Sequence, residues 1–446
     1  MKRRSLIQTV GGSALGMLGV GISLVGHTQD RFAKYRGQTV RMSMPAHPHY
    51  DAMVKLLPEF TRQTGIRVET DRLPIPRMKE KQLLEMSKTQ CEFDLICYVV
   101  MWKGEYVKKN LISELEPFFA NTSLADRAYE IKDIVPSYLE NIGLVGVWKG
   151  YLAGDQAKLY GVPYGAETSI LAYRKDIFLK HKLFIPETYY ELEKLLPVLR
   201  DKAGIGALAT RGQLGHQCVH AWLLHLNPMN GKVFENNWKP RFNDKAGVRA
   251  LEFLKQVIDT GPKDSTSFGQ NEMMEAFLQG QSAMYLDSTI VFGSVKDATR
   301  SKIDGKVGYV RHPKGSKYSS QTGGLGLAIP KTAMNSDAAF LLMQWLTSKV
   351  QDKAVCRLGG SPTRISTLFD ADLTRQYPEY ITLRQQIKDA DPDWRPIIAE
   401  WDEINTKALG VGIFDALTGK KTPKDALNSV VPKVTEIMVR GGYLQT

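Results

Sequence analysis

Residues 93–100 read FDLICYVV, which from Leu95 onward is a continuous apolar run of the length and composition that a central, doubly covered parallel strand requires. Upstream, TVRMSM (39–44) sets Val40, Met42 and Met44 on one face, the alternation of a short strand. The loop PAHPHYD follows. Next comes DAMVKLLPEFTRQTG (51–65), with Met53, Leu56, Leu57 and Phe60 at helical spacing and Gly65 where a helix stops. Pro58 lies inside that segment and should bend or interrupt it. IRVET (66–70) supplies a second strand. Strand, helix, strand, helix, strand is the doubly wound α/β pattern.

The pattern resumes downstream. LYGVPYGAETSILAYRKDIF (159–178) reads as two strands flanking a loop, and Pro186-Glu187-Thr188 opens a helix. GVRALEFLKQVID (247–259) sets Val248, Leu251, Leu254 and Ile258 on one helical side. MMEAFLQGQSAMYLD (273–287) reads as a helix, a stop at Gly280 and a strand Ala283–Leu286. GGLGLAIP (323–330) is a strand after a glycine turn, and Ser336 is placed to cap SDAAFLLMQWLTSK, with Ala339, Leu342, Met343 and Leu346 inward.

At the start, MKRRSLIQTVGGSALGMLGVGISLVGH (1–27) has a basic head, an apolar, glycine-laced body and no acid before Asp30. That is the build of an export signal, and Arg3-Arg4 gives it the twin-arginine form. We therefore assign 1–29 to export, with a periplasmic destination. Removing them takes three positive charges from the +12 of the 446-residue chain. The remainder is long enough for two or three domains. Its lysines and arginines alternate with acids, as in RMKEKQ and GKKTPKD, which is a solvated surface and not a nucleic-acid footprint. Beyond the signal no run of eighteen apolar residues occurs. The cysteines Cys91, Cys97, Cys218 and Cys356 form no C-x-x-C, and buried thiols fit their apolar settings better than bridges.

Catalytic spacing is wanting. There is no G-x-S-x-G, Walker loop or G-x-G-x-x-G after a strand. His216 and His220 stand i, i+4 on one helical face, but Gln217 occupies the place of the glutamate in H-E-x-x-H, and His225 falls on the opposite side. His47 and His49 flank Pro48 on a loop after a strand, the end at which α/β sheets bind ligands. An exported metal-dependent hydrolase using that loop with Glu167 and Asp287 is the alternative reading. Aromatic residues stand at strand ends: Tyr98, Trp102, Tyr164, Trp394 and Trp401. Aromatic faces with nearby amides and charges make a carbohydrate site. Arg364 and Arg395 are the candidates for an anionic group, with side chains suited to an oxygen pair.

Taken in order, LLPEFTRQTGIRVE, FDLICY, YGVPYGAETSILAYRKDIF, PETYYELEKLL, NGKVF, AGVRALEFLKQVID, FLQGQSAMYLDST, GGLGLAIPKTAMNSDAAFLLMQWLTSK and TPKDALNSVVPKV resemble a family 1 extracellular solute-binding protein of an ABC importer. The resemblance implies a two-lobe periplasmic-binding-protein fold of type II, each lobe a doubly wound sheet, closing on a sugar, polyol or glycoside. It implies no cofactor, a monomer, and docking on the importer's membrane permease. Lobe one would be 37–163 with 326–370, and lobe two 168–321 with 372–446, crossing near 163–168, 321–326 and 365–375. The implied ligand-binding residues are His47, His49, Tyr50, Trp102, Tyr164, Glu167, Asp287, Gly324, Arg395 and Trp401. Ile290 and Phe292 occupy ground where the family often has tryptophan, which implies a weaker stacking wall on that side.

Overall fold

The computed structural model describes residues 31–146, 151, 154 and 156–445; residues 1–29, expected to be an export signal, lie outside them. The central feature is a nine-stranded sheet. Its strands are β1 (Thr39–Pro45), β2 (Arg67–Leu73), β3 (Leu95–Val99), β4 (Val162–Arg174), β5 (Gly206–Ala209), β6 (Ser282–Ser288), β7 (Val307–Val310), β8 (Ser320–Ala328) and β9 (Ala390–Asp391). They run in the order β2-β1-β3-β8-β4-β6-β5, with β9 on β8 and β7 on β4. β1, β2 and β3 are mutually parallel, as the apolar FDLICYVV run requires, while β8 joins β3 and β4 antiparallel.

The 159–178 stretch departs from the reading of two strands and a loop. It is one thirteen-residue strand, β4. Val162–Thr168 pair with β8, and Ser169–Arg174 pair with β6 and β7. Gly165 and Gly324 explain the difference. Both take left-handed φ, 81° and 94°, so the backbone twists there without leaving the ladder, and the β8 register shifts between Gly324 and Gly326. A Cβ on Gly324 would stand 2.4 Å from the Gly165 carbonyl oxygen. One continuous ribbon therefore links the two halves of the sheet.

Each half has its own packing. Val40, Met42, Met44, Leu95, Cys97, Leu325 and Leu327 meet the helix Ser336–Leu346, whose Ala339, Leu342, Met343 and Leu346 all point inward. Leu171, Leu208, Met284 and Leu286 meet Leu192, Leu196, Phe253 and Val257 of the helices Tyr189–Ala203 and Lys245–Thr260. A Thr188/Glu191 capping box starts the first of these helices, and Asp244 caps the second.

Two local expectations are revised. The PAHPHYD segment is not a loop throughout: His47 is an N-cap, and a helix runs Pro48–Val54. A second helix, Leu57–Thr64, follows with Pro58 in its first turn, so the proline interrupts as expected, and Gly65 ends it at φ 74°. Ser336 is the first helical residue and not the cap. The N-cap is Asn335, whose N–H donates to Asp94 at 2.8 Å. The segment just before β1 is anchored, because Tyr35 is buried and its hydroxyl donates to Asp337 at 2.9 Å. All four cysteines are buried free thiols. No helix among the described residues is long and apolar enough to cross a membrane.

Candidate functional site

Where the two halves of the sheet meet, a cavity of about 680 Å³ opens between them. β4 and β8 form its back, through Glu167, Gln321, Gly323, Gly324 and Leu325. The first half supplies His47, Val99, Met101 and Trp102 from the ends of β1 and β3, together with Ile75, Leu83 and Lys79. The second half and the C-terminal segment supply Arg211, His216, Gln217, His220, Trp394, Arg395, Asp402 and Thr406.

Glu167 is held by protein donors on both oxygens. Oε1 faces His47 Nε2 at 3.3 Å, and Oε2 accepts from the Ser288 hydroxyl. His47 Nδ1 accepts the His49 N–H at 3.3 Å, so the ring proton sits on Nε2 and is donated to Glu167. His49 Nδ1 likewise accepts, from the Ser361 N–H at 3.1 Å. Neither ring keeps a free lone pair, which is what a metal would need. Among the described residues, no group of three or more His, Cys, Asp or Glu is arranged to hold a metal ion.

Asp287 closes β6 and is clamped from the end of β5. Arg211 donates Nε at 2.8 Å to one oxygen and Nη2 at 2.5 Å to the other. Burial is the largest influence and would raise this carboxyl, but Arg211 and His220 together, through charge and hydrogen bonding, outweigh it and hold Asp287 well below the usual carboxylate range. Arg211 Nη1 reaches Gln217 at 3.3 Å. His216 and His220 do share one face of the helix His216–Leu226. Burial, followed by the charge of Arg211, drops His220 to about 4, so its ring is neutral at pH 7. Both His220 nitrogens are buried without a hydrogen bond, Nε2 lying 3.6 Å from Asp287 Oδ1. His216 Nδ1 meets Asn405 at 2.8 Å, inside a widened π-helical turn Ile404–Leu409 that also brings Thr406 to the cavity. His225 points the other way, to Tyr189.

Arg395 is 4% exposed, its Nε has no partner, and its guanidinium lies 4.6 Å from the Trp394 ring centre. Trp394 is fixed by donating Nε1 to the Thr322 carbonyl at 2.5 Å. The site thus keeps unpaired buried donors beside a fixed carboxylate, with tryptophans on two sides. A polyhydroxylated ligand matches that inventory, since each hydroxyl both donates and accepts.

Of the ten sequence candidates, His47, Trp102, Glu167, Gly324 and Arg395 line the cavity. The other five do not. Tyr50 and Tyr164 are fully buried, the Tyr50 hydroxyl donating to the Tyr164 carbonyl at 3.2 Å. His49 packs edge-on against Tyr164, ring centres 4.3 Å apart. A helix starting at Pro48 carries these side chains inward. Asp287 sits behind Arg211, and Trp401 is buried in the core while its neighbour Asp402 reaches the cavity. Arg364 is a buried structural group, bound to the Thr347 and Glu130 carbonyls and to Asp133. Arg211, His220, Gln217 and Gln321 are absent from the sequence-derived set. The signal for Arg211 was its place as the first charge after the apolar GALA strand.

The sequence profile of the bacterial extracellular solute-binding protein family matches residues 46–353. A Sinorhizobium fredii protein named "Probable amino-acid ABC transporter periplasmic-binding protein" is 26% identical over 461 aligned positions, covering 100% of both chains. The mannitol-binding protein of Pseudomonas aeruginosa is 28% identical over 339 residues, 71% of this chain and 75% of that one. Among solved structures, an ABC transporter solute-binding protein from Agrobacterium radiobacter K84 in complex with ribitol superposes with a TM-score of 0.81 at 25% identity, covering 90% of this chain and 99% of that one.

Proposed function

Because this chain belongs to the bacterial extracellular solute-binding proteins, we propose that it captures a polyol or small sugar outside the inner membrane and delivers it to an ABC permease. One observation carries the reading: His220 and Arg395, which line the cavity together with Glu167, Trp102 and Trp394, keep buried nitrogens without a hydrogen bond. Leaving such groups without partners is costly, and ligand hydroxyls would supply them. The mannitol- and ribitol-binding relatives support that ligand class.

In this reading the lobes are 37–163 with 326–370 and 168–321 with 372–446, with crossings near 163–168, 321–326 and 365–375. The division of β4 pairing at Thr168/Ser169 supports the first crossing. Closure follows from differential affinity, since a ligand touching both walls favours the state in which the walls approach. His47 acts by aiming Glu167; Gly324 lets the strands approach closely. The test is a thermal-shift panel of polyols, monosaccharides, disaccharides and amino acids on the mature protein. A ligand at one hundred times its Kd adds about 2.7 kcal/mol to folding stability. Stabilisation by polyols or sugars is expected. Stabilisation by amino acids alone, in line with the name of the Sinorhizobium relative, would replace the ligand class.

A further inference from the structure

The two walls of the cavity differ in chemistry. Arg211, His216, Gln217, His220 and Arg395 make one side polar and charged. The facing side carries Ile75, Leu83, Val99, Met101 and Trp102, continued by Leu325 from β8; its charged members, Lys79, Glu80 and Glu105, are held in ion pairs, Lys79 with Glu105 and Asp402 and Glu80 with Arg77. Ile75, Leu83, Val99 and Met101 are half-buried, each packed against the core on one side and open to the cavity on the other. Ile75 and Leu83 project from the helix Ile75–Met86, while Val99 and Met101 stand at and just past the end of β3. The wall is therefore assembled from two separate elements.

A linear polyol carries a hydroxyl on every carbon, so it has donors and acceptors on all sides. Those laid against the Ile75, Leu83, Val99 and Met101 side chains would lose water and find no partner there. Apolar surface held open in a cleft points instead to an apolar group on the ligand. The cavity volume of about 680 Å³ is that of a site for a drug-sized molecule, larger than a five- or six-carbon chain needs.

We infer that the ligand is amphipathic: a glycoside whose polyhydroxylated head meets the Arg211–His220–Arg395 side and whose apolar aglycone lies on the Ile75–Leu83–Met101 wall. This inference rests on the sugar-or-polyol reading and narrows it. Both ends contribute to closure, because the two walls belong to opposite halves of the sheet.

Calorimetry of the mature protein with the methyl and phenyl glycosides of glucose, galactose and mannose tests it. For whichever sugar binds, the phenyl glycoside should bind on the order of tenfold to a hundredfold more tightly than the methyl one, from the ring area removed from water. Leu83→Glu should bring that ratio down to near one. Met101→Gln, a milder change, should shrink it and covers the case in which Leu83→Glu does not fold. If methyl and phenyl glycosides bind alike, or if the phenyl group prevents binding, the amphipathic ligand is refuted and the sugar-or-polyol reading stands. If no sugar, polyol or glycoside binds at all, both fall together.

Discussion

Replacing Arg395 by methionine should make the ligand-free protein more stable while abolishing capture. Burial first, and the like charge of Arg211 second, pull this guanidinium down to about 9, whereas an arginine in water stays protonated past pH 12. At 1.36 kcal/mol per pH unit that gap corresponds to roughly 4–5 kcal/mol spent holding the charge in place. Local relaxation and water entry from the cleft reduce it, so a net gain of ~2 kcal/mol is expected for a side chain of similar volume without the charge. The sign is fixed by linkage. A base whose folded pKa lies below its unfolded one destabilises the fold while protonated, and the penalty fades as pH rises through about 9. Urea unfolding at pH 7 and pH 9.5 would read both effects. Arg395→Met should raise the midpoint at pH 7 with an unchanged slope, and wild type should close part of the gap at pH 9.5. Affinity for the confirmed ligand should drop at least a hundredfold. A variant that loses more than about 1 kcal/mol without ligand would show that Arg395 is a structural ion and refute the reasoning.

Asp287→Asn should cost about 3–5 kcal/mol in urea unfolding, because it strands the buried Arg211 charge. The carboxyl's depressed pKa makes its contribution present above the unfolded value near 4 and lost as pH falls below it, so acid unfolding of wild type should be steeper than that of the variant. Ligand affinity measured by calorimetry should fall below pH 5, since burial and the Arg211 charge hold His220 at about 4 and burial holds His216 well below its ordinary value. Gly104→Ala should destabilise by about 1–3 kcal/mol, because the new Cβ would stand 1.8 Å from the Ile397 carbonyl oxygen, which is backbone and cannot rotate away. A thiol reagent should find no reactive cysteine in the native protein and four after denaturation, as all four are buried and unpaired.

The fold was legible wherever burial followed a simple period. FDLICYVV became β3, with Leu95, Ile96, Cys97 and Tyr98 all fully buried, because a strand covered on both faces leaves no place for a polar residue. The helix after Asn335 was equally clear, since nine consecutive residues, Ala338–Leu346, are buried. Errors arose where a backbone feature overrode the residue types. YGAET carries the marks of a loop, and only the partner strand shows why it is not one: Gly165 and Gly324 bulge together across β4 and β8. A pairing between positions about 160 residues apart leaves no trace within either segment.

The site was legible as a region and not as a set of side chains. AHPHY marks the end of β1, yet only His47 of its polar and aromatic residues reaches the cavity, because Pro48 starts a helix and turns His49 and Tyr50 toward Tyr164. Position after a strand selects the neighbourhood; helix phase then decides which side chain faces the ligand. The tryptophan wall follows the same logic. Ile290 and Phe292 lie outside the main cavity and line a separate small pocket with Gly359–Pro362 and Tyr377. Trp394 supplies an aromatic face from a segment more than one hundred residues later, fixed by the Thr322 carbonyl of β8. Since Trp394 and Arg395 are adjacent in the chain, one segment delivers both the stacking face and the unpaired guanidinium. The aromatic face and the charge on that side are therefore set by the position of a single backbone stretch, and a change that moves β9 against β8 would alter both at once.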